Sequence, residues 1–177
     1  DTFRGATIAL MIIVNTPGTW SHVYAPLRHA QWHGCTLTDL VFPFFLFIVG
    51  ISMSYSFEKY DICKRGPLFN KIIFRSISIF ILGLILNAFP FIRQDWDWSS
   101  FRYLGVLQRI ALSYFLAAFI ILRANIKSLV QICLAILILY WIGLYSYGFI
   151  TGLDPYALST NLVLVIDRAI LGEDHLY

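Results

Sequence analysis

Apolar residues in this chain come in long blocks, and the polar residues between them are gathered into short stretches. The first block is densest from Ala6 to Val14 and is broken by Pro17-Gly18. No charge lies between Asp39 and Glu58, between Arg75 and Arg93, or between Lys127 and Asp154. A helix that crosses a bilayer needs about 20 mostly apolar residues. The blocks therefore predict five spans, over about residues 3–18, 37–57, 72–91, 103–122 and 128–149. The fourth is unusual because Gln108 and Arg109 fall inside it. Asn161 to Leu171 is apolar but too short to cross, which predicts an interfacial or re-entrant helix. The stretch from Thr19 to Thr36 is a polar and aromatic loop that carries His22, His29 and His33. The fold class is all-α: a polytopic transmembrane helix bundle with about five spans and one short interfacial helix. The whole of 1–177 reads as part of a single transmembrane domain, with no internal repeat.

Composition agrees. Of the 177 residues 59% are hydrophobic, 17% aromatic and only 13% charged. A soluble domain carries about 25% charged residues. Roughly half that leaves too little polar surface to cover a water-soluble globule, so the lipid bilayer is the expected surrounding. The net charge of +3 is too small to argue for nucleic acid. Cys35, Cys63 and Cys133 are widely separated and suggest neither a disulfide framework nor a metal knuckle. The chain opens on Asp1 and closes on Gly172-Glu173-Asp174-His175-Leu176-Tyr177 without a terminating signal. It reads as the N-terminal part of a longer protein whose C-terminal spans are absent. No small-residue site for signal cleavage closes the first apolar stretch.

Orientation follows from Lys and Arg, which favour cytoplasmic loops. Lys59, Lys64, Arg65, Lys71 and Arg75 lie between the second and third spans; Arg123 and Lys127 lie between the fourth and fifth. On the opposite side Arg28, Arg93, Arg102 and Arg168 are mixed with acids. The basic loops are expected inside and the histidine loop outside.

Polar groups within a bilayer are costly, so each asks for a reason. With this topology Asn15, Asp39 and Asn87 sit toward the outer ends of their helices. Gln108 and Arg109 enter the fourth span from the same side, about 8–9 Å below Tyr103 at 1.5 Å per residue. Five polar groups from four helices would share one level, beneath His22, His29 and His33. Interhelical hydrogen bonding is the plainer use of such groups. His29 and His33 have H-x-x-x-H spacing, but no Glu follows the first His, and no metal is expected.

Particular words in the chain then narrow the reading. Asp1-Thr2-Phe3-Arg4-Gly5 opens a helix that continues Met11-Ile12-Ile13-Val14-Asn15. Leu27-Arg28-His29-Ala30-Gln31-Trp32-His33-Gly34 is followed by Thr36, Asp39 and Leu40-Val41-Phe42-Pro43-Phe44-Phe45-Leu46-Phe47. Gly83-Leu84-Ile85-Leu86-Asn87 and Leu104-Gly105-Val106-Leu107-Gln108-Arg109-Ile110-Ala111 come later. Together these resemble the heparan-alpha-glucosaminide N-acetyltransferase family, over essentially the whole chain and most specifically in the histidine loop. The later words look like those of its bacterial members.

The resemblance implies an acetyl group passed from cytosolic acetyl-CoA to an amino sugar or glycan on the far side of the membrane. It makes His29 the catalytic His and Asn15 the active-site Asn. It further implies roughly ten or eleven spans in a full family member, and for a bacterial member an inner-membrane place with the His29 loop periplasmic. His33 stands where the animal loop has Asn, so the acceptor need not be the same. A homodimer is possible.

The residue types suit that chemistry. Neutral His can take a proton from an amine or hydroxyl, or can itself be acylated; both remain open. Asn15 can donate an N–H to a developing oxyanion. Asp39 can hold the His29 ring in its useful tautomer. Arg109, with Gln108 and Asn87, can meet a phosphate or pantetheine carbonyl of the acetyl-CoA donor. Two other classes compete: a transporter or channel with a polar intramembrane path, and a non-catalytic membrane scaffold. The scaffold leaves the dense His/Trp/Asn constellation unexplained.

Overall fold

The computed structural model describes residues 1–58, 65–89, 101 and 103–172. Among the described residues six α-helices follow in order: α1 (Thr2–Asn15), α2 (Leu37–Glu58), α3 (Arg65–Ala88), α4 (Val106–Ile121), α5 (Ile126–Thr151) and α6 (Leu162–Leu171). Two 3-10 turns, Trp20–His22 and Ala25–Leu27, shape the loop between α1 and α2. No strand occurs among the described residues, and the all-α expectation holds.

Among the described residues three helices are long and apolar enough to cross a membrane, over Leu37–Glu58, Pro67–Ala88 and Ile126–Thr151. At 1.5 Å per residue, a 22-residue helix is about 33 Å long, against about 30 Å of bilayer hydrocarbon. The apolar helices Thr2–Asn15 and Val106–Ile121 are shorter than that. Along the middle of α5 the apolar side chains face outward all round: the consecutive Ile136, Leu137, Ile138 and Leu139 are each more than half exposed. Side chains of this kind gain about 1.5–3 kcal/mol each on leaving water. A helix apolar on every face is accommodated by lipid or by further protein, not by water. The chain is an integral membrane protein.

Helix ends are set by local chemistry. Pro17 disfavours helical backbone at Thr16, which takes φ −125° and ψ 55° and closes α1. The Thr16 hydroxyl bonds back to Ile12 O, and the Asn15 amide bonds back to Met11 O. Asn125 caps α5 by accepting the Ser128 N–H at 2.9 Å. Gly152, at φ +69°, ends it in the left-handed conformation that glycine adopts without strain. Asn161 caps α6 through Leu164 N–H at 2.8 Å.

The third helix begins at Arg65, seven residues before the expected span, so Lys71 rides on the helix as Arg75 does. Long basic side chains tolerate this because their stems are apolar and their heads can find partners. Arg75 finds one: its guanidinium carbon lies 5.3 Å from the centroid of the Tyr114 ring. The fourth helix starts at Val106, after a bend at Tyr103 and Leu104 that the expected span had included.

The molecule divides into two compact units, Asp1–Phe69 and Asn70–Tyr177. In the first, α1 packs on α2 through Phe3, whose ring meets Phe44 edge-on at 5.3 Å and Phe47 at 6.1 Å. Thr7, Val14, Thr38, Val41 and Met53 are buried there. In the second, Ile72, Gln108, Ala111, Tyr114 and Ala118 are buried where α3 and α4 face each other. Gly83 makes their approach possible, since a Cβ there would come within 2.8 Å of the Gln108 amide and 2.9 Å of Leu107 Cβ.

Candidate functional site

The first unit holds a built polar site, and Asp39 organises it. Asp39 is the third residue of α2, where exposed backbone N–H groups and the helix dipole favour an acid. One carboxylate oxygen, Oδ1, lies 2.7 Å from His29 Nδ1. The other, Oδ2, accepts the backbone N–H of Thr36 at 3.0 Å and that of Ala30 at 3.2 Å. The Thr36 hydroxyl stands 2.9 Å from the same oxygen and 2.6 Å from Arg28 O. A single carboxylate thereby ties down the chain on both sides of the His33-Gly34-Cys35 bend.

A carboxylate only accepts, so the 2.7 Å contact requires the proton on His29 Nδ1. In the neutral ring that leaves Nε2 with its lone pair free. The His29 side chain is 73% exposed while that of Asp39 is 28% exposed. The ring is mostly exposed, while the carboxylate that anchors it is mostly covered. An acid–His pair of this geometry has the chemistry to accept a proton.

The loop around the pair is shaped by its own residues. Gly34 has φ +132°, a backbone conformation that side chains with a Cβ rarely adopt. The Trp32 and His33 rings meet edge-on at 6.4 Å, and Arg28 Nη2 reaches Ser21 O at 3.3 Å. His22 lies in the 3-10 turn capped by Thr19.

The expected site residues fall into two groups. His29 and Asp39 are directly bonded. Asn15 ends α1 with one amide hydrogen spent on Met11 O at 2.9 Å, and no hydrogen bond joins it to His29. The second unit holds Asn87, Gln108 and Arg109. Gln108 is completely buried, and neither amide atom has a hydrogen-bond partner. The Asn87 amide and Gln108 Oε1 both crowd Gly105, where a Cβ would lie 2.6 Å from Asn87 Nδ2 and 2.8 Å from Gln108 Oε1. Arg109, next in sequence, is exposed. Among the described residues no group of three or more His, Cys, Asp or Glu is placed to hold a metal ion.

Sequence reasoning singled out His29 and Asp39 but overlooked the parts played by Thr36 and by the backbone at Arg28 and Ala30. The signal was present. Thr36-x-x-Asp39 has the spacing of a helix capping box, with Asp in place of Glu, and half of that box forms.

An all-helical membrane protein with an exposed, carboxylate-anchored histidine on the loop between its first two helices belongs to a class with acid–base capability. The particular family follows from comparison with known proteins. Residues 1–163 match the family model described as heparan-alpha-glucosaminide N-acetyltransferase, catalytic. The chain is 32% identical to the human heparan-alpha-glucosaminide N-acetyltransferase over 213 aligned residues, covering 100% of this chain and 32% of that protein. The mouse protein of the same name is also 32% identical, over 215 residues and with the same coverage. The chain belongs to the heparan-alpha-glucosaminide N-acetyltransferase family. It spans about a third of the length of the curated relatives it matches.

Proposed function

We propose that this chain carries the acid–base centre of a membrane acyltransferase that moves an acetyl group from acetyl-CoA to an amino sugar or glycan. The observation that carries the proposal is the 2.7 Å bond from His29 Nδ1 to Asp39, which leaves the Nε2 lone pair free. In the base reading, Nε2 takes the proton from the acceptor nitrogen or hydroxyl as that atom attacks the acetyl carbonyl. The thioester bond breaks and the thiol of CoA leaves with a proton. In the nucleophile reading, Nε2 attacks the thioester carbonyl, the C–S bond breaks and CoA leaves as its thiolate; the acceptor then displaces the acetyl group from the ring, and the proton it loses ends on that thiolate. Asp39 serves both by stabilising the positive charge that develops on the imidazole.

Asn15 supplies the oxyanion contact in this scheme. Its second amide hydrogen is not used by Met11 O and is available to a developing negative charge. Arg109, Gln108 and Asn87 hold the phosphates or pantetheine amides of the donor, a role for which their polar groups on otherwise apolar helices are the support. Five spans, cytoplasmic basic loops and an extracytoplasmic His29 loop complete the reading; for a bacterial protein that is the periplasmic face of the inner membrane.

The test uses membranes containing the full-length protein, radiolabelled acetyl-CoA and a panel of amino sugars. Label should pass to at least one amino sugar, and His29→Ala should abolish the transfer. Transfer that survives His29→Ala would overturn the assignment of the centre.

A further inference from the structure

The His29 ring is exposed, and its Nδ1 bond to Asp39 is its one side-chain hydrogen bond among the described residues. One contact fixes a point, not an orientation. The direction in which Nε2 faces therefore depends on how firmly the backbone on each side of His29 is held.

Asp39 holds one side directly, through the Ala30 N–H at 3.2 Å. It cannot hold the other side, because what that side presents is the carbonyl of Arg28, and two acceptors do not bond. A donor is needed between them. The Thr36 hydroxyl fills that place, 2.6 Å from Arg28 O and 2.9 Å from Asp39 Oδ2. Its single proton can be shared between the two oxygens in a three-centre bond. The Thr36 N–H also bonds to Asp39 Oδ2, at 3.0 Å, which fixes the hydroxyl's own position against the start of α2.

We propose that Thr36 is a positioning residue for His29, its hydroxyl joining the Arg28 carbonyl to the Asp39 carboxylate so that both backbone flanks of the histidine are anchored to α2. The inference rests on the catalytic reading of His29. Thr36 touches no reacting atom and acts through the ring it orients. A hydroxyl missing here frees the Arg28 carbonyl and lets the peptide before His29 swing, although the Asp39 bond can still form part of the time. A side chain required only to cap α2 would matter to stability and not to turnover.

The experiment compares Thr36→Ser, Thr36→Val and Thr36→Ala in the full-length protein. Val keeps the bulk and loses the hydroxyl; Ala loses both; Ser keeps the hydroxyl. Val and Ala are expected to lower kcat about tenfold, since a small misplacement of a catalytic group is costly. KM for acetyl-CoA and for the acceptor should stay unchanged, and Ser should restore most of kcat. A Val variant with wild-type kcat, or a Ser variant as slow as Val, would overturn the proposal.

A second measurement does not depend on turnover. In protein labelled with nitrogen-15 histidine, the Nδ1 signal missing from His29→Ala is assigned to His29. That signal should keep its strongly hydrogen-bonded shift in Thr36→Ser, and move or broaden in Thr36→Val. An unmoved signal in Thr36→Val would count against the proposal even if activity fell. Were His29→Ala itself active, the catalytic reading would fail, while the ring signal would still decide whether Thr36 holds His29.

Discussion

The loop before α2 and the contact between α3 and α4 both gather polar side chains on an apolar scaffold, and they treat them in opposite ways. Around Asp39 both carboxylate oxygens have donors, and the one basic atom left over, His29 Nε2, belongs to a mostly exposed ring. Around Gln108 the amide is wholly buried and none of its hydrogen-bonding capacity is met. An unmet buried amide costs about 1–3 kcal/mol. The first arrangement is what a proton-transferring group requires: every anchor satisfied, the working atom open. The second leaves a buried amide unmet, a cost that the packing around it has to offset.

The largest effect that tests this contrast is loss of the open atom. His29→Ala should lower acetyl transfer by at least about 10²-fold, the lower range for a positioned acid–base group, with membrane insertion unaffected. His22→Ala and His33→Ala should cost much less. Equal losses in all three variants would make the loop, not the His29–Asp39 pair, the functional unit.

Asp39→Asn should follow closely, lowering kcat by roughly 10²-fold with little change in KM. An amide offers only one acceptor oxygen. If that oxygen faces the N–H groups of Ala30 and Thr36, the amide NH₂ meets His29 Nδ1 and forces the other tautomer, which blocks Nε2. If it faces His29 instead, the NH₂ opposes two backbone donors. Either way one side of the site loses its anchor, and steady-state kinetics of the variant would show it.

Gly34→Ala has a smaller consequence. At φ +132° a Cβ is strained by about 1–3 kcal/mol wherever it is placed, although the nearest atom, Ala30 Cβ, is 3.5 Å away. Thermal stability should drop and kcat should fall partly, as the bend between His33 and Cys35 relaxes. An unchanged melting temperature with normal activity would show that the loop tolerates another path.

Gln108→Leu is the smallest effect and the most informative about the second region. If the amide is completed by the acetyl-CoA donor, KM for acetyl-CoA should rise about tenfold, the equivalent of one hydrogen bond of roughly 1.4 kcal/mol. A variant with unchanged KM and a higher melting temperature would reduce Gln108 to a packing residue between Gly83 and Gly105. Radiometric assay and thermal denaturation in detergent separate the two outcomes.

Much of this was legible in the residues because the bilayer imposes a coarse rule. Long uncharged runs must be helices, since lipid offers no partner to the backbone. The all-α class, the short apolar helix after Asn161 and the loop carrying His29 follow from that rule. A helix end was legible where a strong local signal was read, as at Pro17. The start of α3 was not, since that helix begins at Arg65 and takes in the charged Lys71 ahead of the apolar run.

The site divides along the same line. Residue types and a family resemblance sufficed to name His29, Asn15 and Asp39, because chemistry and recurring words are one-dimensional. Nothing one-dimensional says which oxygen of Asp39 meets Nδ1, that Thr36 bridges Arg28 to that carboxylate, or that Asn15 spends an amide hydrogen on its own helix. Nor does spacing along α4 tell that Gln108 is wholly buried while its neighbour Arg109 is exposed. Those outcomes depend on which donor lies within 3 Å of which acceptor, and on where two glycines let two helices close. Only the folded chain decides them, because hydrogen bonds and close packing act over distances that sequence separation does not measure.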